Sequence, residues 1–195
     1  VTVAAIVLAA GQGSRFRAEA GADKDKLLAD CVGRDGVVRP VIEQVLLNLP
    51  ESVTQRWLVT SPGRVEVIRL AQVHGCEVLL LHSAGMGDSI AAAVAVSASA
   101  QGWLVLLGDM PFIRPSSITQ VMEGLEVEGI HVPVHAGEYG HPVAFGRAFG
   151  PALMTLTGDR GARPLFTNAA LREVQVDDPG VLWDVDVPQS LSFNL

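Results

Sequence analysis

The residues best suited to chemistry lie near the start of the chain, in VTVAAIVLAAGQGSRF. Glycines that directly follow an apolar run let backbone N–H groups approach an anion closely, and a helix opening there adds its positive end. The loop Gly11-Gln12-Gly13-Ser14-Arg15 has that form. Arg15 carries a forked guanidinium that can reach back over a phosphate. Lys26, in Lys24-Asp25-Lys26-Leu27-Leu28, is a second candidate cation, with Lys24 as its rival. The first two glycines fit G-x-G-x-x-G, but Phe16 stands where dinucleotide enzymes use a third glycine for close helix packing. No G-x-x-x-x-G-K-[ST] occurs, so a P-loop is unsupported. Taken alone, the loop is equally a tight strand-to-helix turn that holds nothing.

Two acidic segments could hold a cation. Leu106-Leu107-Gly108-Asp109-Met110-Pro111 reads as a strand ending in Gly-Asp. Ligands bind beyond the carboxyl ends of strands in open α/β sheets. A carboxylate there suits Mg²⁺, an ion of oxygen ligands that is usually shared with substrate phosphates. A turn or helix-capping aspartate is the plainer alternative. In Trp183-Asp184-Val185-Asp186-Val187-Pro188, strand alternation would put Asp184 and Asp186 on one face, where they repel unless a cation or donors offset them.

Gly158-Asp159-Arg160-Gly161-Ala162-Arg163 is a charged glycine loop whose arginines could grip an anionic second substrate. Gly85-Met86-Gly87-Asp88-Ser89 opens a helix whose N-terminus could face a nucleotide, or is a simple cap. His131, His135 and His141 form the only histidine cluster; no cysteine is near, which argues against zinc. His141, in Gly140-His141-Pro142-Val143, reads as a polar group facing a substrate. There is no G-x-S-x-G elbow to support a serine hydrolase.

The elements that must position these groups alternate. Residues 3–9, 56–60, 77–81 and 103–107 read as strands; 40–49, 63–73 and 88–100 carry apolar residues at helical spacing, with Asp88 as the cap of the last. This βαβαβ rhythm predicts an α/β fold with a mostly parallel, doubly wound sheet and helices on both faces, in one domain over residues 1–195. Residues 130–134 and 142–145 read as short strands around a turn at 136–140, a hairpin lying over the sheet. Residues 171–176 and 182–185 read as further strands, with a last short helix from Pro188. Apolar residues make up 49% of the chain and aromatics only 5%, the filling of a sheet buried on both faces. A net charge of −7 disfavours nonspecific nucleic-acid binding. No apolar run approaches the roughly 20 residues of a membrane span, and residues 3–9 read as a strand rather than a signal peptide. Cys31 and Cys76, with no C-x-x-C spacing, read as reduced thiols of a cytoplasmic protein.

Together and in this order, the motifs closely resemble the molybdenum cofactor nucleotidyltransferases, the MobA/MocA-like NTP transferases. The likeness rests on 8–15, Lys26-Leu27-Leu28, 85–89, 107–111, 140–147, 158–163 and 184–188. Ala9-Ala10-Gly11, Gly140-His141-Pro142-Val143 and 158–163 look more like the cytidylyltransferase branch than the guanylyltransferase branch. Arg15-Phe16-Arg17, where the family often reads R-M-G, and Gln189, where an acidic residue is common, are departures.

The resemblance implies a Rossmann-like nucleotidyltransferase fold and Mg²⁺-dependent transfer of a nucleotide to a terminal phosphate, with release of pyrophosphate. By this analogy Leu8, Ala9, Ala10, Gly11, Gly13, Ser14, Arg15, Lys26, Gly85, Ser89 and Asp109 hold the nucleotide, and Arg15, Lys26 and Asp109 are catalytic. Asp109 and Asp186 bind Mg²⁺, with Asp184 as competitor. His141, Pro142, Asp159, Arg160 and Arg163 face a molybdopterin-type cofactor. CTP is the favoured nucleotide, since Ala10 crowds a purine where the guanylyl branch has glycine; GTP is the alternative. A non-catalytic carrier that delivers the cofactor to a molybdenum oxidoreductase is the competing class. A nicotinamide oxidoreductase is disfavoured by Phe16.

Overall fold

Sixteen regular elements position these groups in a computed structural model that describes residues 2–82 and 85–194. In chain order they are β1 (Val3–Leu8), α1 (Ser14–Ala20), β2 (Asp30–Val32), β3 (Val38–Pro40), α2 (Val41–Leu47), β4 (Gln55–Thr60), α3 (Val65–Val73) and β5 (Glu77–Leu80). There follow α4 (Met86–Val96), β6 (Gly102–Leu107), α5 (Pro115–Met122), β7 (Gly129–His135), β8 (Glu138–Tyr139), β9 (Val143–Gly146), α6 (Gly150–Met154) and β10 (Ala170–Gln175). The main sheet has the order β10-β7-β9-β6-β1-β4-β5, with β8 on β7.

Strand alternation explains why this sheet is wound on both faces. Ala5 and Val7 of β1 bury with Leu58, Leu104 and Leu106 against α2, α3 and α5. Ala4 and Ile6, one residue out of phase, bury with Val59 and Val105 against Ile90, Ala93 and Val94 of α4 and Leu153 of α6. β1 pairs in parallel with β4 and β6, so the carboxyl ends of these strands open at one edge. Phe16 is 3% exposed and enters the first of the two cores, which is why no third glycine is needed. The fold is the α/β, mostly parallel arrangement expected.

The structure differs from the sequence reading in four places. β9 does not lie over the sheet; it is inserted in it, antiparallel to both β6 and β7. Val143, Ala144 and Phe145 are apolar on consecutive positions and all buried, the pattern of an interior strand. Residues 182–185 do not form a strand: Pro179–Leu182 is a 3-10 turn, and the following segment is held to the sheet by Val185 N–H donating to the Asp109 carbonyl at 2.8 Å. Asp88 is not the cap of α4. The helix starts earlier, behind Gly85, and Asp88 sits in its first turn, accepting from Gly158 N–H at 3.3 Å. The small antiparallel sheet of β2 and β3 was unforeseen, although Asp35-Gly36 in its turn is a hairpin signal.

Candidate active site

At the carboxyl ends of β1 and β6 the chain leaves a cleft of about 270 Å³. Its wall brings together Leu8 at the end of β1 and Ala9, Ala10, Gly11 and Gln12 of the loop after it, Lys26 and Leu27, Leu107 and Asp109 of the β6 end, Gly85 with Met86 and Ser89 of the α4 that it opens, and Asp159. Gly13 adopts φ +62°, a left-handed conformation that favours glycine, and so turns the loop into α1; the Lys26 stem packs beneath it. Gly85 lets the 158–159 backbone lie directly on the first turn of α4, where a Cβ would collide with Gly158. Gly87 N–H then donates to the Gly158 carbonyl at 2.8 Å.

Charge in the cleft is arranged as pairs. Lys26 Nζ lies 2.8 Å from Asp109 Oδ2, with 13% and 19% of the two side chains exposed. Asp109 Oδ1 is buried and, among the described residues, has no hydrogen-bond partner. An orphaned carboxylate oxygen is costly, so this one fits a cation that binds there. Nearer the rim, Arg15 Nη1 lies 2.8 Å from Asp186 Oδ2, and the two side chains are 79% and 38% exposed. Asp186 holds the Arg15 guanidinium more firmly in its charged form. Asp184 directly precedes the buried Val185. Partial burial and then the Asp109 carboxylate raise its pKa, with a smaller contribution from Asp186. Among the described residues Lys24 pairs only with Asp23, at 3.9 Å on the surface, and it does not line the cleft.

The remaining predicted residues, Asp159 excepted, lie outside the cleft wall. Ser14 opens α1 beyond it. His141 is held neutral at physiological pH, its pKa pushed down to about 4 by burial and by Arg163, with Asp184 opposing. Pro142 is buried and follows a cis peptide bond. The Arg163 guanidinium stacks 5.8 Å from the centre of the Tyr139 ring. Arg160 contributes its carbonyl to the packing against Gly87. Asp159, read with the second-substrate loop, instead lines the same cleft as the glycine loop. His131 and His135 pair with the carbonyls of Val121 and Val176, as structural histidines do.

Two charged residues at the site went unread in the sequence. Arg64, at the start of α3, bonds the carbonyls of Ala9 and Gly11, and pairs with Asp25. The available signal was its place just beyond the carboxyl end of β4, in Thr60-Ser61-Pro62-Gly63-Arg64, the edge where ligands bind. Among the described residues no three His, Cys, Asp or Glu side chains converge to form a metal cage. Mg²⁺ does not require one, since one or two carboxylates and substrate phosphates suffice.

Residues 5–175 match the model of the MobA-like NTP transferase domain. The chain belongs to this family. The match takes in the glycine loop, Lys26, Asp109 and His141, and ends before Asp184 and Asp186. The bifunctional protein GlmU of Sorangium cellulosum is 27% identical over 187 residues, which cover 91% of this chain and 37% of that protein. The chain thus spans about a third of the length of that curated relative. Among solved structures, Rv0371c from Mycobacterium tuberculosis H37Rv is 26% identical with a TM-score of 0.79, covering 97% of this chain and 95% of its own. That protein has also been solved in complex with manganese. Mth528, a nucleotidyl transferase from Methanothermobacter, shares the fold at 23% identity and a TM-score of 0.81, covering 97% and 94% of the two chains. Among the described residues no helix is long and apolar enough to cross a membrane.

Proposed function

We propose that this MobA-like domain transfers CMP from CTP to the terminal phosphate of a molybdopterin-type cofactor and releases pyrophosphate. The observation that carries the reading is the convergence of Lys26 and the half-unsatisfied Asp109 carboxylate on the floor of a glycine-loop cleft. The acceptor phosphate oxygen forms a bond to the α-phosphorus as the bond to the pyrophosphate oxygen breaks. No protein nucleophile is needed; the task is to align two anions and neutralise them. The loop N–H groups, Arg15 and Lys26 serve the triphosphate and the leaving pyrophosphate. Asp109 would hold Mg²⁺, together with Asp186 once Arg15 turns to phosphate, with Asp184 as competitor. The ion supplies charge neutralisation at the phosphates. The manganese complex of Rv0371c supports a divalent ion in this family. Neutral His141, with Pro142, Arg160 and Arg163, faces the acceptor, and Asp159 joins the nucleotide side of the cleft.

Cys31 and Cys76 are buried free thiols, with burial pushing both up to about 11. They support a reducing, cytoplasmic setting. The reading is tested by incubating the protein with each of the four NTPs, Mg²⁺ and purified molybdopterin-type cofactor, and measuring pyrophosphate. We expect release with CTP above GTP. Tight cofactor binding without release for any NTP would overturn it in favour of a carrier serving a molybdenum oxidoreductase. Turnover only with other phosphomonoesters would overturn the acceptor.

A further inference from the structure

Arg64 is not among the residues that line the cleft, and its side chain is only 11% exposed. One arm, Nη1, donates to the carbonyls of Ala9 at 2.5 Å and Gly11 at 3.2 Å. Thr60 Oγ1 also donates to the Ala9 carbonyl, at 2.9 Å. The other edge of the guanidinium grips Asp25 through Nε at 3.2 Å and Nη2 at 2.7 Å. Asp25 Oδ1 accepts in turn from Leu27 N–H at 3.0 Å, so the backbone on either side of Lys26 is tied down.

A trans peptide is planar, and its C=O and N–H point in opposite directions. Drawing the carbonyls of residues 9 and 11 toward Arg64 therefore turns the N–H groups of Ala10 and Gln12 away from it. Ala10, Gly11 and Gln12 line the cleft. Among the described residues their N–H groups donate to no backbone carbonyl. N–H groups aimed at one side of a loop form an anion-binding concavity. We infer that Arg64 is the positioning residue of the phosphate site: one guanidinium aims the loop N–H groups into the cleft and, through Asp25, sets Lys26 opposite them. This rests on the proposed nucleotide reading of the cleft. An arginine suits the task because its rigid fork serves two partners on different edges at once, which an ammonium does not.

The test uses calorimetric titration of the full chain with inorganic pyrophosphate and with CTP, alongside melting temperatures. The variants are Arg64→Gln, Arg64→Lys and Asp25→Asn, with Val121→Ala in α5 as a core-destabilised control remote from the loop. Arg64→Gln should weaken pyrophosphate and CTP by the same factor, roughly 10–100-fold, the scale for losing a partner that orients a binding group. Arg64→Lys should fall between. Asp25→Asn, which keeps the carbonyl contacts, should lose less than Arg64→Gln and serves if that variant does not fold. The control should melt lower and bind pyrophosphate like wild type. Arg64→Gln, or Asp25→Asn in its place, binding pyrophosphate within about twofold of wild type would overturn the inference, as would an affinity loss in the control that matches its loss of melting temperature. Wild type that binds neither ligand would instead reject the proposed function itself.

Discussion

Lys26 Nζ and Asp109 Oδ2 meet at 2.8 Å while Asp109 Oδ1, on the same carboxylate, is buried with no partner among the described residues. A pair built only for stability would leave no such oxygen, because its desolvation is not offset. The structure covers most of this carboxylate, with 19% of the Asp109 side chain exposed.

That burial shapes the first prediction. Asp109→Asn keeps the shape of the side chain and removes the charge that would hold a metal. Turnover should fall roughly 10²–10³-fold, the scale for one preorganised charge-stabilising group. The melting temperature should move little, since the amide oxygen still accepts from Lys26. Mn²⁺ binding, followed by electron paramagnetic resonance, should weaken in parallel. Full activity with unchanged metal dependence would remove Asp109 from the site.

Asp184 and Asp186 divide the next prediction. Asp186 is paired with Arg15, whereas Asp184 titrates under the field of Asp109. If Asp186 is the second metal ligand, Asp186→Asn should weaken Mn²⁺ binding more than Asp184→Asn, and the deficit should appear in both metal affinity and turnover. The reverse order would transfer the role to Asp184 and leave Asp186 as the resting partner of Arg15.

His141 makes stability depend on pH. Its pKa in the folded chain is about 4, against an ordinary 6.5. The unfolded chain therefore takes up a proton first as pH falls, and stability is lost progressively from about 6.5 to about 4. The contribution at neutral pH is on the order of 3 kcal/mol, since each tenfold difference in proton affinity between the two states is worth about 1.4 kcal/mol. Chemical denaturation of wild type and His141→Gln at pH 7 and pH 4.5 should show a smaller acid loss in the variant. Parallel losses would mean that His141 titrates normally.

Ala10 lines the cleft, and its methyl group is the proposed obstacle to a purine. Discrimination by one methyl group is worth about 1–3 kcal/mol, or roughly 10–200-fold. kcat/KM for CTP should exceed that for GTP by such a margin, and Ala10→Gly should narrow it. A wild-type preference for GTP, or a ratio that the substitution leaves untouched, would show that Ala10 is not the selector.

Much of the first half of the molecule was legible in the sequence because its signals are local. The apolar run before Gly11, the helical spacing over 63–73 and the Gly-Asp at 108–109 each declare themselves within a few residues. β1, α3 and the β6 end formed where those signals lie. Only the tertiary structure decided the rest. β9 took an interior place because burying Val143, Ala144 and Phe145 between two neighbours satisfies both backbone edges, a choice no local spacing encodes. Residues 182–185 form no strand; a long-range bond, Val185 N–H to the Asp109 carbonyl, holds the segment to the sheet, with Asp186 paired to Arg15 and Asp184 in the repulsive field of Asp109. Arg64 stands 55 residues from Ala9. Its chemistry is visible in its residue type; its target depends on β4 packing beside β1, where hydrogen bonding across the sheet sets which loops face each other.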